Sequence, residues 1–173
     1  VPVSHYNHCE AVMWERSDPS LRAPDTVALY ASAPFVSQGH KVKFEHAFSL
    51  LSGVAPPASR GHVKLASSDI ADAPIIETNY LAEEQDWKTY RASTEICREI
   101  GASDYYKDVR KRELLPENDG ELTDAEWREF LAKSVNTYFH PTSTCQIAKV
   151  VDPELRVYGI DGLRVADASV MPI

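Results

Sequence analysis

The C-terminal stretch of the sequence, from Asn136 to Ile173, constrains the fold most strongly, because prolines and small residues fix its backbone. Pro141 removes a backbone donor and disfavours helical backbone at His140, so we expect the imidazole on the edge of a loop. The stretch finishes in an Asp-Ala-Ser-Val-Met-Pro corner that begins at Asp167. A strand that feeds such a corner normally continues into a helix, and none follows in this sequence. We therefore expect the chain to be a piece of a longer protein.

Two helices are predicted by apolar side chains at three- and four-residue steps. The first runs from about Glu83 to Ile100, with Gly101 as its C-terminal stop. The second starts at Thr123, whose hydroxyl can form a capping box with Glu126, and it should continue toward His140 and end there. The residues predicted to be buried are Trp87, Tyr90, Thr94, Cys97 and Gly101 in the first helix, and Trp127, Phe130, Leu131 and Val135 in the second.

Alternation of apolar and polar residues predicts several short strands. The longest alternation runs from Val42 to Leu50, with Phe44 and Phe48 among its apolar members. Two later segments flank a turn at Asp161 and Gly162, which is typical of a hairpin. The remaining predicted strands are Val12 to Trp14, Val27 to Ala31, Val63 to Leu65 and Ile75 to Thr78, and the hairpin segments are Leu155 to Val157 and Leu163 to Val165. The sequence therefore predicts mixed α and β structure.

The composition fits a single folded core and excludes some partners. The 173 residues carry a formal net charge of −8, and nucleic acid is bound by clustered Lys and Arg, so we expect no nucleic-acid partner. No apolar run approaches the roughly 18 residues of a membrane span, so we expect no membrane segment. Three widely spaced cysteines, Cys9, Cys97 and Cys145, are not a disulfide framework and suit a reducing compartment. We therefore expect a cytoplasmic protein.

Two clusters of reactive side chains need a separate interpretation. The segment from His5 to Glu10 contains two His, one Cys and one Glu, but a ligand set confined to six residues rarely closes a tetrahedron, and we predict no metal site. Cys145 and His140 could form a nucleophile pair. A small Cys packed beneath the His140 loop is the favoured interpretation.

A longer series of residues carries a family resemblance. A His-Pro-Thr-Ser-Thr-Cys run starts at His140, and a Val-Asp-Pro-x-Leu-x-Val-x-Gly-x-x-Gly-Leu-Arg-Val-x-Asp-Ala-Ser pattern runs from Val151 to Ser169. Upstream lies a Ser-Arg-Gly segment at Ser59 to Gly61 with a strand after it. Together these regions resemble the C-terminal part of the glucose–methanol–choline (GMC) flavin oxidoreductases. Two departures are Ser143, where many members carry Gly, and Ile147, where Met is usual.

The resemblance implies an α+β fold, with a mostly antiparallel sheet and helices packed on one face. Residues 1–139 would form the substrate-side domain, and residues 140–173 the catalytic-His loop and a short hairpin and strand that belong to the FAD domain. The implied cofactor is FAD, and the implied substrate is a small-molecule alcohol. The sequence has no Gly-x-Gly-x-x-Gly loop, which the dinucleotide end of a flavin requires. We therefore expect the N-terminal FAD-binding portion to be missing and the isolated chain to be colourless and inactive.

The resemblance also assigns roles to individual residues. His140 would be the base, since an imidazole with a pKa near 6.5 can accept the hydroxyl proton while a hydride leaves the adjacent carbon. The hydride needs a flavin because no side chain accepts it. Asp167, Ala168 and Ser169 would lie along the ribityl chain and ring edge of the flavin, although Asp167 could also be a turn-forming residue.

Two points stay open at the level of sequence. A hydroxynitrile lyase on the same scaffold and a cofactor-free binding module remain alternatives to the alcohol oxidoreductase. Trp14, Tyr30, Phe35 and Phe48 could line an alcohol pocket, but ordinary core positions are favoured because alternation does not identify the sheet face that meets a substrate.

Overall fold

A three-stranded antiparallel sheet in the order β1-β2-β3 organises the first of two compact units, Val1–Val135 and Asn136–Ile173. Its strands are β1 (Cys9–Glu15), β2 (Thr26–Ala31) and β3 (Ser49–Val54). The structure is a computed structural model that describes residues 9–43, 46–118 and 120–172. The strands predicted at Val12 to Trp14 and Val27 to Ala31 are confirmed, and the fold class is α+β as predicted.

Helix α1 (Glu84–Ala102) covers one face of this sheet. The hydroxyls of Ser52 on β3 and Thr94 on α1 lie 2.9 Å apart, so the even-numbered residues of β3 point toward the helix. Strand register places Tyr30 opposite Leu50 on this same face. The ring of Tyr30 lies 5.9 Å from that of Phe48, which stacks at 5.1 Å on Tyr106. Tyr30 and Phe48 therefore belong to the helix-side core.

The C-terminal end of α1 differs from the prediction at Gly101. The helix continues through Gly101 to Ala102, and the Ser103 hydroxyl and backbone N–H then both donate to the Ile100 carbonyl, at 2.7 and 3.1 Å. A Cβ on Gly101 would lie 3.3 Å from Cδ1 of Leu50. Glycine is therefore used here for close packing of the helix on the sheet and not as a helix stop.

The predicted strand from Val42 to Leu50 is wrong over most of its length, because β3 begins only at Ser49. Phe44 and Glu45 lie outside the described residues. The loop before them is held by tertiary contacts, since Ser37 Oγ donates to the Lys133 carbonyl at 2.9 Å. A Cβ on Gly39 would stand 2.2 Å from that same carbonyl oxygen, so the loop backbone lies directly against a helix end. These long-range contacts override the local alternation.

Helix α2 (Asp124–Ser134) begins as predicted, with the Thr123 capping box formed by Glu126. Trp127 and Leu131 are buried, and Phe130 is half-buried. The helix ends six residues before His140, where Ser134 Oγ donates to the Phe130 carbonyl at 2.7 Å and lies 2.9 Å from Nε2 of His40. The expectation that the helix reaches His140 is therefore wrong, because side-chain contacts at Ser134 end it earlier.

A two-stranded ribbon completes the first unit. Its strands are β4 (His62–Lys64) and β5 (Ile75–Glu77), paired antiparallel, and both strand predictions in this region are confirmed.

The described part of the second unit contains short turns, isolated bridges and a one-turn 3-10 helix at Ala168–Val170. The predicted hairpin segments pair antiparallel at Arg156 and Arg164, with Val157 N–H donating to the Leu163 carbonyl at 3.0 Å. Gly162 in the connecting turn has a φ of +77°, which glycine adopts without steric cost. That this hairpin belongs to an FAD domain stays a prediction.

Arg98 of α1 links three elements of the first unit. Its side chain is 19% exposed, its Nε lies 3.1 Å from both carboxylate oxygens of Glu113, and Nη2 donates to the carbonyls of Asn118 and Gly120 at 2.7 and 3.0 Å. Its guanidinium also lies 5.8 Å from the ring centre of Trp127. One side chain therefore links Glu113, Asn118 and Gly120 to α1 and to the ring of Trp127.

We expect Arg98→Ala to lower the free energy of unfolding by about 2 kcal/mol, because it removes a charged partner of the largely buried Glu113 carboxylate and a donor to two backbone carbonyls. The matched control is Arg91→Ala, which also removes a guanidinium over Trp127 but whose partner Asp124 is 90% exposed. That control should cost less than about 1 kcal/mol, since exposed ion pairs contribute little. Urea unfolding followed by tryptophan fluorescence measures both, and equal losses would contradict the role given to Arg98.

Candidate functional site

The run that follows His140 and the corner that contains Asp167 lie side by side in the second unit. Ser143 N–H donates to the Ala168 carbonyl at 3.3 Å, Cys145 N–H to the Ser169 carbonyl at 2.8 Å, and Ile147 N–H to the Val170 carbonyl at 3.0 Å. Every second residue of the first segment thus bonds to successive residues of the second. The structure therefore brings together two of the sequence-predicted site segments, which are separated by more than twenty residues along the chain.

The corner itself is built by Asp167. One carboxylate oxygen accepts a hydrogen bond from Ser169 N–H at 2.8 Å and thereby caps the 3-10 turn Ala168–Val170. Val170 N–H closes the turn on the Asp167 carbonyl at 3.2 Å. Hydrogen bonds from the Ser169 hydroxyl and from its backbone N–H hold the pKa of the Asp167 carboxyl below its usual range. The turn-forming role that the sequence allowed for Asp167 is therefore present.

His140 is exposed, and its ring packs on the ring of Tyr138, with 5.6 Å between the ring centres and 43° between the planes. The backbone reverses on both sides of the His140–Pro141 pair, because Phe139 has a φ of +59° and Ser143 a φ of +72°. These two reversals place the imidazole on a loop, in agreement with the prediction made from Pro141. Tyr138 and the 80% exposed Phe139 were not singled out from sequence, although their position directly before His140 was a signal.

Ser143 shows why glycine suits this position in the GMC signature. Its left-handed backbone is costly for a residue with a Cβ and free of that cost for glycine. Its hydroxyl donates to Oγ1 of Thr142 at 3.1 Å, and its N–H is held by Ala168. The conformation is thus imposed by the pairing with the corner, and serine adopts it.

Val151 is the buried centre of the second unit, with 0% exposure. It forms a parallel bridge with Ile147 and an antiparallel bridge with Val157. Next to it, one carboxylate oxygen of Asp152 accepts from the N–H groups of Glu154 and Arg156, at 3.0 and 2.8 Å. The Val-Asp-Pro-x-Leu-x-Val part of the signature is therefore an internally bonded segment that is bridged to Ile147, at the end of the run after His140.

Metal binding and cysteine reactivity find little support in the described residues. Within residues 9–43, 46–118 and 120–172, no three His, Cys, Asp or Glu side chains are grouped as metal ligands would be. His5 and His8 of the cluster considered above lie outside the described residues. All three cysteines are free thiols, with Cys97 buried, Cys145 half-buried and Cys9 exposed. Burial raises the pKa of the Cys97 thiol to about 12, which makes it unreactive.

Comparison with known proteins places the chain in a family. The C-terminal model of a family described as GMC oxidoreductase matches residues 57–173. The chain therefore belongs to the GMC oxidoreductase family.

Individual relatives agree with this assignment. The chain is 34% identical to an oxygen-dependent choline dehydrogenase of Rhizobium johnstonii, over 96% of this chain and 31% of the relative. It is 38% identical to an uncharacterized GMC-type oxidoreductase of Mycobacterium bovis, over 94% of this chain and 32% of the relative. Among solved structures, it is similar to pyridoxine 4-oxidase from Mesorbium loti, with a TM-score of 0.86 and 36% identity over 95% of this chain and 33% of that one.

The relatives are much longer than this chain. The chain spans about a third of the length of the relatives that it matches. Among the described residues, no helix has both the length and the apolarity needed to cross a bilayer.

The hydrogen bonds at the corner predict an acidic titration of Asp167. Because the pKa of this carboxyl is lowered in the folded state, its stabilising contribution is present above the ordinary Asp pKa and is lost as the pH falls through the lowered value. We expect carbon NMR of the carboxyl to show a midpoint below the usual Asp range, and Ser169→Ala to move it upward. Ser143→Gly removes a nearby hydroxyl that bonds to Thr142 instead, so it should leave the midpoint unchanged. An unchanged midpoint in Ser169→Ala would contradict the assignment.

Proposed function

We propose that this chain is the substrate-side and C-terminal portion of an FAD-dependent oxidoreductase that acts on CH–OH groups, with His140 as the base. The observation that carries the proposal is the backbone pairing that holds the His140 loop against the Asp167 corner. The family membership supports it, because that pairing joins two segments of the same signature.

The residues at the corner could contact the edge of a flavin, but they do not form a site for the whole cofactor. Ala168 is small, and Asp167 is exposed, so the corner offers polar groups and little side-chain bulk. The glycine-rich loop that would cradle the dinucleotide is absent from the sequence. FAD, held largely by residues outside this chain, would supply the acceptor for the hydride.

The chain's own contribution to catalysis is the handling of a proton. The His140 imidazole takes the proton from the substrate hydroxyl, which raises the electron density on that oxygen as the carbon–hydrogen bond breaks. The Tyr138 ring lies beside the imidazole in a tilted contact, with 5.6 Å between the ring centres. Asp167, Ala168 and Ser169 form the turn that pairs with the run after His140, and their contact with the flavin is part of this proposal.

The aromatic residues that were considered for the alcohol pocket do not lie together in the structure. Tyr30 and Phe48 belong to the core beneath α1. Trp14 lies opposite Val27 on the other sheet face and is 54% exposed, with Val12 on the same face at 55%. The substrate-side domain of residues 1–139 would select the alcohol, as the family resemblance implies, and Trp14 stays a candidate for lining its pocket.

The names of the relatives do not identify the alcohol substrate. One is named for choline and another for pyridoxine, which are chemically different alcohols. The expected cytoplasmic location also stays a prediction, supported by three thiols of which none is in a disulfide.

The test uses the complete protein that contains this chain. We expect it to be yellow and to be bleached anaerobically by an alcohol substrate. His140→Ala should keep its flavin but slow flavin reduction about 10² to 10⁴-fold, the usual contribution of a general base. Stopped-flow absorbance measures this rate.

The matched control is His62→Gln, which changes a histidine paired with Glu77 on the β4–β5 ribbon and should not alter the rate. A His140→Ala protein that reduces its flavin at the normal rate would remove His140 from the mechanism. A colourless complete protein would overturn the flavin assignment itself.

A further inference from the structure

The β4–β5 ribbon is amphipathic, and its apolar face is open. Val63 lies directly opposite Ile76 in the antiparallel pair, and Leu65, the residue directly after the end of β4, is a further exposed aliphatic side chain beside them. These three side chains are 57%, 63% and 84% exposed, respectively. We call Val63, Leu65 and Ile76 the ribbon face.

The opposite side of the ribbon has the chemistry of a solvated surface. His62 lies opposite Glu77, with 3.3 Å between Nε2 and a carboxylate oxygen. Lys64 lies opposite Ile75, the one aliphatic residue on this side. The ribbon thus divides its polar and apolar residues between two sides, as a strand pair does when one side is covered.

The base of the ribbon is fixed, so the ribbon face is a preformed surface. The buried carboxylate of Asp86 accepts from the N–H groups of Ala58 and Ser59, at 2.6 and 2.8 Å. Ser59 Oγ in turn accepts from Glu83 N–H at 3.1 Å, at the start of α1. A Cβ on Gly61 would stand 2.1 Å from the Glu77 carbonyl oxygen, so only glycine allows the two strands to approach this closely.

A ribbon of two three-residue strands gains little stability from its own pairing. Three aliphatic side chains that are mostly exposed to water contribute only a little to it, whereas the same side chains covered by an apolar surface would stabilise it more. The fixed base and the open face are therefore consistent with a surface that is completed by another part of the protein.

We propose that the ribbon face is covered, in the complete protein, by the polypeptide outside residues 1–173. This inference rests on the proposed function, which assigns that polypeptide to flavin binding. The family model begins at residue 57 and so includes the whole ribbon, and about two thirds of each matched relative lies outside the region shared with this chain. A second copy of the chain fits less well, because a face of three side chains is far smaller than the roughly 800 Å² per partner of a specific interface.

The occupant is identified by photo-cross-linking in the complete protein. With p-benzoyl-phenylalanine in place of Ile76, we expect a cross-link to a peptide from outside residues 1–173. The same substitution at Ile75, on the other side of the same strand, is the matched control and should give none. A cross-link from position 76 to residues 1–173, of the same molecule or of a second copy, would overturn the proposal, and so would the absence of any cross-link.

A stability measurement provides the second readout. Ile76→Lys should lower the melting temperature of the complete protein by about 5 °C, because it places a charge in a covered apolar contact. Ile75→Lys should lower it by less than about 1 °C, since surface substitutions have small effects. Equal shifts in the two variants would contradict the proposal.

The flavin content of the wild-type complete protein separates this inference from the proposed function. If that protein holds no flavin but position 76 cross-links as expected, the ribbon face is confirmed and the flavin assignment fails. If it holds flavin and position 76 gives no such cross-link, the proposed function stands and the ribbon inference fails.

Discussion

The arrangement of the candidate site depends on three backbone hydrogen bonds, donated by Ser143, Cys145 and Ile147 to the carbonyls of the Asp167 corner. Backbone groups make these bonds whatever the side chain, so the pairing tolerates substitution along the run. This explains how the chain can carry Ser143 in place of glycine and Ile147 in place of methionine and still form the corner. The side chains remain free to vary in shape next to the proposed site, while His140 keeps its place three residues before the first bond.

The scaffold beneath these bonds is small, and it is stabilised by local geometry more than by a large core. Among the described residues of this unit, Val151 is the one with 0% exposure, and bridges on both sides of it order the chain. Asp152 and Asp167 each use a carboxylate oxygen to accept backbone N–H groups two residues on. Such turns satisfy backbone donors that have no strand or helix partner, which is how a segment with almost no regular secondary structure holds a defined site.

The sequence predicted the elements whose signals are local. The capping box at Thr123 specified the start of α2, and Pro141 specified a loop at His140, because each acts within a few residues. The Val42 to Leu50 strand and the Gly101 stop were wrong, because contacts with residues distant in sequence decide both. The Lys133 carbonyl accepts a hydrogen bond from Ser37 in the loop before Phe44, and Leu50 packs closely against Gly101 within the last turn of α1.

Side-chain direction was a further property that periodicity could not supply. Alternation placed Trp14 and Tyr30 in strands but could not say which sheet face α1 covers. The contact between Ser52 and Thr94 decides this, and it puts Tyr30 in the core and Trp14 on the open face. The role proposed for His140 rests on the resemblance to the family signature, since an exposed imidazole on a loop has no local feature that distinguishes a base from an ordinary surface residue.

His140 and the ribbon face present the same physical situation in separate units. In each, residues are held by a well-bonded backbone in a position that their solvent-exposed surroundings do not explain. A single exposed apolar or titratable residue needs no explanation, because much of any protein surface is of this kind. A glycine-dependent strand approach at Gly61 and a left-handed serine at Ser143 are different, since each fixes the backbone at a conformational or steric cost. Fixed geometry at an exposed position is what a surface requires when its complement, a flavin or a neighbouring segment, is supplied by the rest of the protein.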